Sequence, residues 1–159
     1  MKLSDTISSN NVVFDLEAEE KKATIEALLN HCIKINILSS ASKLNVYINE
    51  KDKQFNSAVG RGIAYHYNTS IEVNSIVSIL GISKKGINYN ANDGLLCNFI
   101  LLILEPKEES TQHRKLINLF QTMINEPIVK TKIIEAKDSN DIIDIIKNWE
   151  SIQMDDDLI

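Results

Sequence analysis

The 159-residue chain has the length of a single domain, and 43% of its residues are hydrophobic, which is sufficient for a core. Its formal net charge of −5 argues against nucleic-acid binding, which requires clustered lysine and arginine. The longest apolar run, "FILLIL", is too short to cross a bilayer, and residues 1–11 lack the apolar segment of a signal peptide. We therefore expect one cytoplasmic domain over 1–159, not inserted in a membrane, with a frayed acidic tail over 151–159.

The first third of the chain predicts two helices. Residues 18–35 repeat apolar side chains at intervals of three and four, which is typical of a helix with one buried face. Residues 39–54 predict a second, shorter helix with its cap near Ser40 or Ser42. Cys32 falls on the apolar face of the first helix, so we expect a buried thiol.

The middle of the chain indicates strands. Residues 62–67 alternate apolar and other side chains, and residues 75–83 are apolar and β-branched. "NANDG" at 90–94 indicates a turn before residues 95–105, which are apolar almost throughout. Such a run is typical of a central strand covered on both faces, and Cys97 within it is expected to be a second buried thiol.

The last third of the chain returns to helices. Residues 110–125 predict one helix, and residues 139–150 predict another with Ser139 as its cap. Residues 128–136 fit a short helix or a strand equally well. Because helices and strands interleave along the chain, we expect an α/β fold with helices on both faces of a sheet.

The stretch "AVGRGIAYHYN" at 58–68 holds the sharpest candidate for chemistry, because two glycines precede His66. A structural histidine in a strand is the alternative interpretation. The glycines are not a dinucleotide fingerprint, because Tyr65 stands where the third glycine would be. The sequence also has no P-loop, no serine elbow, and no cysteine or histidine cluster with metal-ligand spacing.

Three segments together carry a family resemblance. They are the opening "LSDTISSNNVVFDLEAEEKKATIEALLNHC", the central "NEKDKQFNSAVGRGIAYH", and "NDGLLCNFILLILEPKEESTQHRKLINLF". In order and spacing, the chain resembles over about 3–149 the IIA proteins of the bacterial phosphotransferase system, of the fructose/mannitol and nitrogen-regulatory type. The resemblance implies a central mixed sheet of about five strands flanked by helices on both faces.

The resemblance also implies a site. The family's phosphoacceptor histidine corresponds to His66, which would take a phosphoryl group from the phosphohistidine of an HPr-type carrier. The family's second histidine corresponds to His113, and its serine or threonine to Ser57. Lys51 replaces the family's arginine, and Asp52 its glutamate. No cofactor and no metal is implied, since neutral imidazole is itself a nucleophile.

The signature departs from the family pattern next to His66. The family has "G-x-G-[IV]-A-[IV]-P-H", whereas this chain lacks the proline and is one residue shorter. A one-residue deletion in a strand turns the following side chain to the other face unless a loop absorbs it. Two alternatives to a phosphorylated nitrogen-regulatory IIA therefore stand. One is a regulatory binding module that is not phosphorylated, and the other is a sugar-specific IIA that passes phosphate to a separate IIB domain.

Overall fold

The structure, a computed structural model, describes residues 1–109 and 111–157. Its sheet has five strands: β1 (Val12–Val13), β2 (Ala58–Gly60), β3 (Ile63–Thr69), β4 (Val77–Ile87) and β5 (Cys97–Glu105). Their spatial order is β1-β4-β5-β3-β2. The β1–β4 and β3–β5 pairs are parallel, whereas β4–β5 and β2–β3 are antiparallel, so the sheet is mixed. The prediction of a mixed sheet with a central strand over β5 is confirmed.

Five α-helices surround this sheet: α1 (Lys21–Lys34), α2 (Ser42–Gln54), α3 (His113–Ile124), α4 (Pro127–Glu135) and α5 (Ser139–Asp157). Short 3-10 turns lie at Leu3–Asp5, Ser9–Asn11 and Lys107–Glu109. The apolar side chains form two cores, one under α1 and α2 and one under α3, α4 and α5. We call these the α1–α2 layer and the α3–α5 layer. Helices on both faces of the sheet are thus confirmed.

The segment that the sequence left open, 128–136, is mostly helix. Pro127 occupies the first turn of α4, where a missing N–H costs no hydrogen bond. Val129 and Ile133, one turn apart, are buried in the α3–α5 layer. Residues four apart share one face in a helix and in a strand alike, which is why the apolar pattern of this segment left the two alternatives open.

The cap of α2 lies where the sequence predicted it, between Ser40 and Ser42, whereas the predicted cap of α5 is wrong. The residue that precedes α2 is Ala41, and no side chain caps that helix. At α5, the Asp138 Oδ1 accepts a hydrogen bond at 2.9 Å from the Asp141 N–H, so Asp138 rather than Ser139 caps the helix. Helix α5 also continues to Asp157, whereas the sequence predicts a frayed tail from residue 151 onwards. Residues 158–159 of that tail lie outside the described residues.

Cys32 and Cys97 are buried free thiols, as predicted. Burial raises the pKa of Cys32 to about 12 and that of Cys97 to about 11, so both stay protonated at neutral pH. Within residues 1–109 and 111–157, no helix combines the length and apolar composition that crossing a membrane requires.

Strand β3 sets the geometry of the site. The register pairs β2 with residues 63 and 64 of β3, and the Tyr65 N–H donates to the Ser57 carbonyl oxygen at 3.0 Å, so the edge of β3 is open beyond residue 65. Successive side chains of a strand point to opposite faces. Tyr65 and Tyr67 accordingly pack in the α3–α5 layer, whereas Ala64 packs in the α1–α2 layer.

Candidate functional site

His66 points into the α1–α2 layer and is only 4% exposed. Its Nε2 lies 2.9 Å from the hydroxyl oxygen of Tyr89, which is itself fully buried. Burial lowers the pKa of His66 to about 4; the charge of Asp52 acts against this shift and that of Lys21 adds to it. The ring is therefore neutral near pH 7 and is held as part of a packed core.

Asp52 and Ser57 lie on the same side of the sheet as His66. The Lys21 Nζ is 2.5 Å from Asp52 Oδ2, and Asp52 Oδ1 accepts the Ser57 N–H at 3.0 Å. Burial raises the pKa of Asp52, but the hydrogen bonds from Lys21 and Ser57 and the charge of Lys21 together lower it below its ordinary value. The Ser57 Oγ is buried and has no hydrogen-bond partner among the described residues. Asp52 thus holds the segment that leads into β2.

His113 begins helix α3 on the opposite face of the sheet. Its ring stacks on that of Tyr67, with centroids 4.0 Å apart and planes 22° apart. The fully buried Glu105 carboxylate accepts the His113 N–H at 3.1 Å and the Gln112 N–H at 3.3 Å. Glu105 Oε1 also lies 3.5 Å from His113 Nδ1. Glu105 at the end of β5 therefore caps the start of α3, whereas the His113 ring is held by its stacking on Tyr67.

Lys51 joins the same cluster from helix α2. Its Nζ donates a hydrogen bond at 2.9 Å to the carbonyl oxygen of Tyr67 and lies 5.2 Å from the centre of the Tyr67 ring. Burial and the nearby Glu105 charge raise the pKa of Tyr67, so its phenol stays protonated at neutral pH. We call Lys51, Tyr67, Glu105 and His113 the tyrosine cluster.

The structure thus separates the two predicted histidines. His66 and Tyr67 are neighbours on β3 and face opposite layers, and the residue stacked on His113 is Tyr67. His66 and His113 therefore lie in different layers and do not meet. Lys51 and His113 do come together, around a tyrosine that the sequence reasoning missed.

The glycines of the stretch "GRG" form the turn from β2 to β3. Gly60 and Gly62 have φ of +94° and +81°, a region that favours glycine. Arg61 between them donates its N–H at 2.8 Å to Asp93 Oδ2, which holds the turn. The glycines therefore have a structural reason for their positions.

A cavity of about 380 Å³ opens beside the exposed edge of β3, between α2 and α3. Its lining includes Lys51, Ser57, Tyr65, His66, Tyr67 and Gln121. Phe55 and Val59 stand at its rim with 73% and 52% of their surface exposed. In the part of the chain that the structure describes, no three His, Cys, Asp or Glu residues are grouped so as to hold a metal ion. The site is thus accessible from solvent and bordered by apolar side chains.

Fold and site define an α/β domain with a polar cluster beside a solvent-open cavity at the edge of strand β3. The sequence profile described as "Phosphoenolpyruvate-dependent sugar phosphotransferase system, EIIA 2" matches residues 5–149. The chain therefore belongs to this family of phosphotransferase-system EIIA domains, as the sequence resemblance implied.

Two curated relatives differ in length. The chain is 23% identical over 151 residues to the "PTS system fructose-specific EIIABC component" of Bacillus subtilis (strain 168), covering 94% of this chain but only 24% of that protein. It is 17% identical over 146 residues to the "Nitrogen regulatory protein" of Bradyrhizobium diazoefficiens, covering 92% of this chain and 95% of that protein. The chain thus spans about a quarter of the first relative and almost all of the second.

A solved structure shares the fold. It is the complex of enzyme IIA-mannitol and phosphorylated enzyme IIB-mannitol from Escherichia coli, with a TM-score of 0.73 at 12% identity. The match covers 90% of this chain and 98% of that chain. In that complex a IIA protein of this fold is joined to a phosphorylated IIB protein.

Counted without a gap, the family signature explains why Tyr67, and not His66, lies beside His113. From Gly62, the pattern "G-[IV]-A-[IV]-P-H" runs through Ile63, Ala64 and Tyr65, placing His66 at the proline and Tyr67 at the histidine. The side-chain directions on β3 agree with this count, because Tyr67 is the residue that meets His113. Counting the signature without a gap would have identified Tyr67 as a site residue from the sequence.

Proposed function

We propose that residues 1–159 form one cytoplasmic IIA-type regulatory domain that acts through protein–protein contacts and takes no phosphoryl group on His66. The observation that carries the proposal is the stacking of Tyr67, in place of a histidine, on His113. This corresponds to the second of the three functions that the sequence left open. It differs from the phosphorylated nitrogen-regulatory IIA because His66 takes no phosphoryl group.

The environment of His66 argues against it as a phosphoacceptor. Phosphoryl transfer requires the attacking atom to lie in line with the donor phosphorus and its leaving group. His66 borders the cavity beside β3, but it is only 4% exposed and its Nε2 lies on the Tyr89 hydroxyl, which leaves a carrier little room for such an approach. A phosphate on this ring would also place two negative charges in an apolar core beside Asp52.

Tyr67 does not substitute for a histidine nucleophile. Its pKa is raised, so the weakly nucleophilic phenol predominates at neutral pH. Activation would need a base on its hydroxyl, and the described residues supply no hydrogen bond to that oxygen. Tyr67 instead fills the place beside His113 with an uncharged ring, which resembles the unphosphorylated state of a site of this kind.

The regulatory role is favoured over a sugar-specific one. A sugar-specific IIA must pass a phosphoryl group to a IIB domain, and this site lacks the residue that would carry it. One relative, which the match covers over 95% of that relative's own length, is named a nitrogen regulatory protein. We propose that partners of HPr, IIB or regulatory type contact the open edge of β3, where Phe55 and Val59 present apolar surface.

The test is phosphorylation with phosphoenolpyruvate, the general phosphotransferase enzyme and HPr. We expect the wild type and His66→Ala to acquire no acid-labile phosphate, while a IIA domain of the same family is labelled as the positive control. Tyr67→His is expected to acquire acid-labile phosphate, because it restores a histidine beside His113. The double variant Tyr67→His with His66→Ala should be labelled equally.

Two results would contradict the proposal. One is acid-labile phosphate on the wild type that His66→Ala abolishes. The other is a folded Tyr67→His variant that stays unlabelled, since the argument identifies residue 67 as the position of the acceptor. Circular dichroism of each variant shows whether it is folded.

A further inference from the structure

A second cavity lies in the α3–α5 layer, away from the tyrosine cluster. It has a volume of about 380 Å³ and opens between the first 3-10 turn, α3 and α5. Leu3, Leu119, Trp149 and Met154 give it mostly apolar walls. Its volume falls in the range of pockets that bind small molecules, about 300–1,000 Å³.

Glu150 forms part of the wall of this cavity, and its carboxylate is incompletely paired. The residue is 8% exposed, and its Oε1 accepts the Ser4 N–H at 3.2 Å. Its Oε2 is buried and has no hydrogen-bond partner in the part of the chain described. A buried carboxylate oxygen without a donor is costly, which makes Glu150 a receptor for a hydrogen-bond donor.

Two lysines lie at the mouth of the same cavity. Lys2 and Lys115 line it and are solvent-exposed, and neither is among the ion pairs of the described residues. The cavity therefore combines apolar walls, an acceptor within the wall and positive charge at its opening. These features match a ligand with an apolar body, a donor at one point and an anionic group at another.

We propose that this cavity, which we call the Glu150 pocket, binds a small apolar zwitterion of the free amino-acid class. On binding, the Glu150 side chain turns its carboxylate to the ligand's ammonium group. The ligand's carboxylate faces Lys2 and Lys115, and its apolar body lies along Leu119 and Trp149. Each of the three parts matches one feature of the pocket. The pocket and its test are independent of phosphorylation and of Tyr67.

Trp149 provides the measurement, because it is the only tryptophan in the chain and lines the pocket. L-Leucine is the probe, since it has all three parts and does not itself fluoresce. Three matched compounds each lack one part: 4-methylpentanoate lacks the ammonium, 3-methylbutylamine lacks the carboxylate, and glycine lacks the apolar body. We expect leucine to change Trp149 emission saturably, with an apparent Kd about tenfold or more below that of each matched compound.

Variants test the assigned contacts. Glu150→Gln keeps the shape of the side chain but removes the charge, and we expect it to weaken leucine binding about tenfold. Lys115→Ala, at an exposed position that does not threaten folding, should weaken binding of leucine but leave that of 3-methylbutylamine unchanged. Asp144→Asn removes one charge from an exposed position of the same helix outside the pocket, and should bind leucine as the wild type does.

Three outcomes would overturn the proposal. The first is the absence of saturable binding of millimolar leucine by both fluorescence and calorimetry. The second is binding of 4-methylpentanoate as tight as that of leucine. The third is unchanged leucine affinity in both Glu150→Gln and Lys115→Ala, with folding of each variant verified by thermal unfolding.

Discussion

Acidification is expected to destabilise the fold through His66. The ring has a pKa of about 4 in the folded chain because it is buried, against an ordinary value near 6.5. Between these two pKa values the unfolded chain binds a proton that the folded chain does not. The free energy of unfolding therefore falls as the pH falls from about 6.5 towards about 4, and this contribution is constant above and below that window.

The size of the effect follows from the two pKa values. A complete shift of 2.5 units (6.5 − 4) corresponds to about 3 kcal/mol at 1.36 kcal/mol per unit. At about pH 5 the linkage relation gives a loss of about 2 kcal/mol relative to about pH 7.5. Asp52 titrates below this range, because its pKa is lowered from an already acidic value.

His66→Gln isolates the contribution of the imidazole. The amide is neutral at both pH values and retains a polar group near the Tyr89 hydroxyl. Urea unfolding at about pH 7.5 and 5 should show a pH-dependent loss that is about 2 kcal/mol smaller in the variant than in the wild type. An NMR titration of the His66 ring protons provides a direct second measurement. Equal pH dependence in the two proteins, together with a ring that titrates near 6.5, would refute the burial argument for His66.

Two further substitutions test the packing and the caps. Gly81→Ala adds a methyl group that would lie 2.9 Å from a methyl carbon of Leu28 and 3.0 Å from one of Leu16. Urea unfolding should therefore show a free energy of unfolding lower by about 1–3 kcal/mol. An unchanged midpoint would mean that the two leucines move aside at no cost. Asp138→Ala removes the cap of α5 and should cost about 1 kcal/mol, whereas Ser139→Ala should change stability by less than about 0.5 kcal/mol. A larger loss of thermal stability in Ser139→Ala than in Asp138→Ala would instead identify Ser139 as the cap.

Local pattern was sufficient for most of the fold. The continuous apolar run of β5 predicted a strand buried on both faces, and the three- and four-residue spacing of α1 and α3 predicted their buried sides. Cap residues could not be predicted in this way. Ser, Asp and neighbouring polar residues compete for a helix start, and only the final backbone direction decides which oxygen meets the free N–H groups.

The site depends on contacts between residues far apart in the chain, which local sequence pattern does not contain. Lys51 and His113 were predicted as site residues, and the fold brings both to one cluster. The role assigned to His66 stays a prediction, although the residue lies on the other face of β3 from His113. Glu105 was read only as the end of an apolar strand, yet it holds the start of α3.

The sequence by itself determined the class of the domain: a mixed sheet between two helical layers, with a glycine turn leading into a strand that carries histidine. The sequence allowed two ways of counting the signature, and the tertiary structure decided between them and so decided which of two adjacent residues meets His113. A strand alternates its faces at every residue, so a one-residue difference in counting exchanges the core side chain for the site side chain. Pairing of β3 with β5 fixes that register, and it places Tyr67 on His113 and His66 on Tyr89.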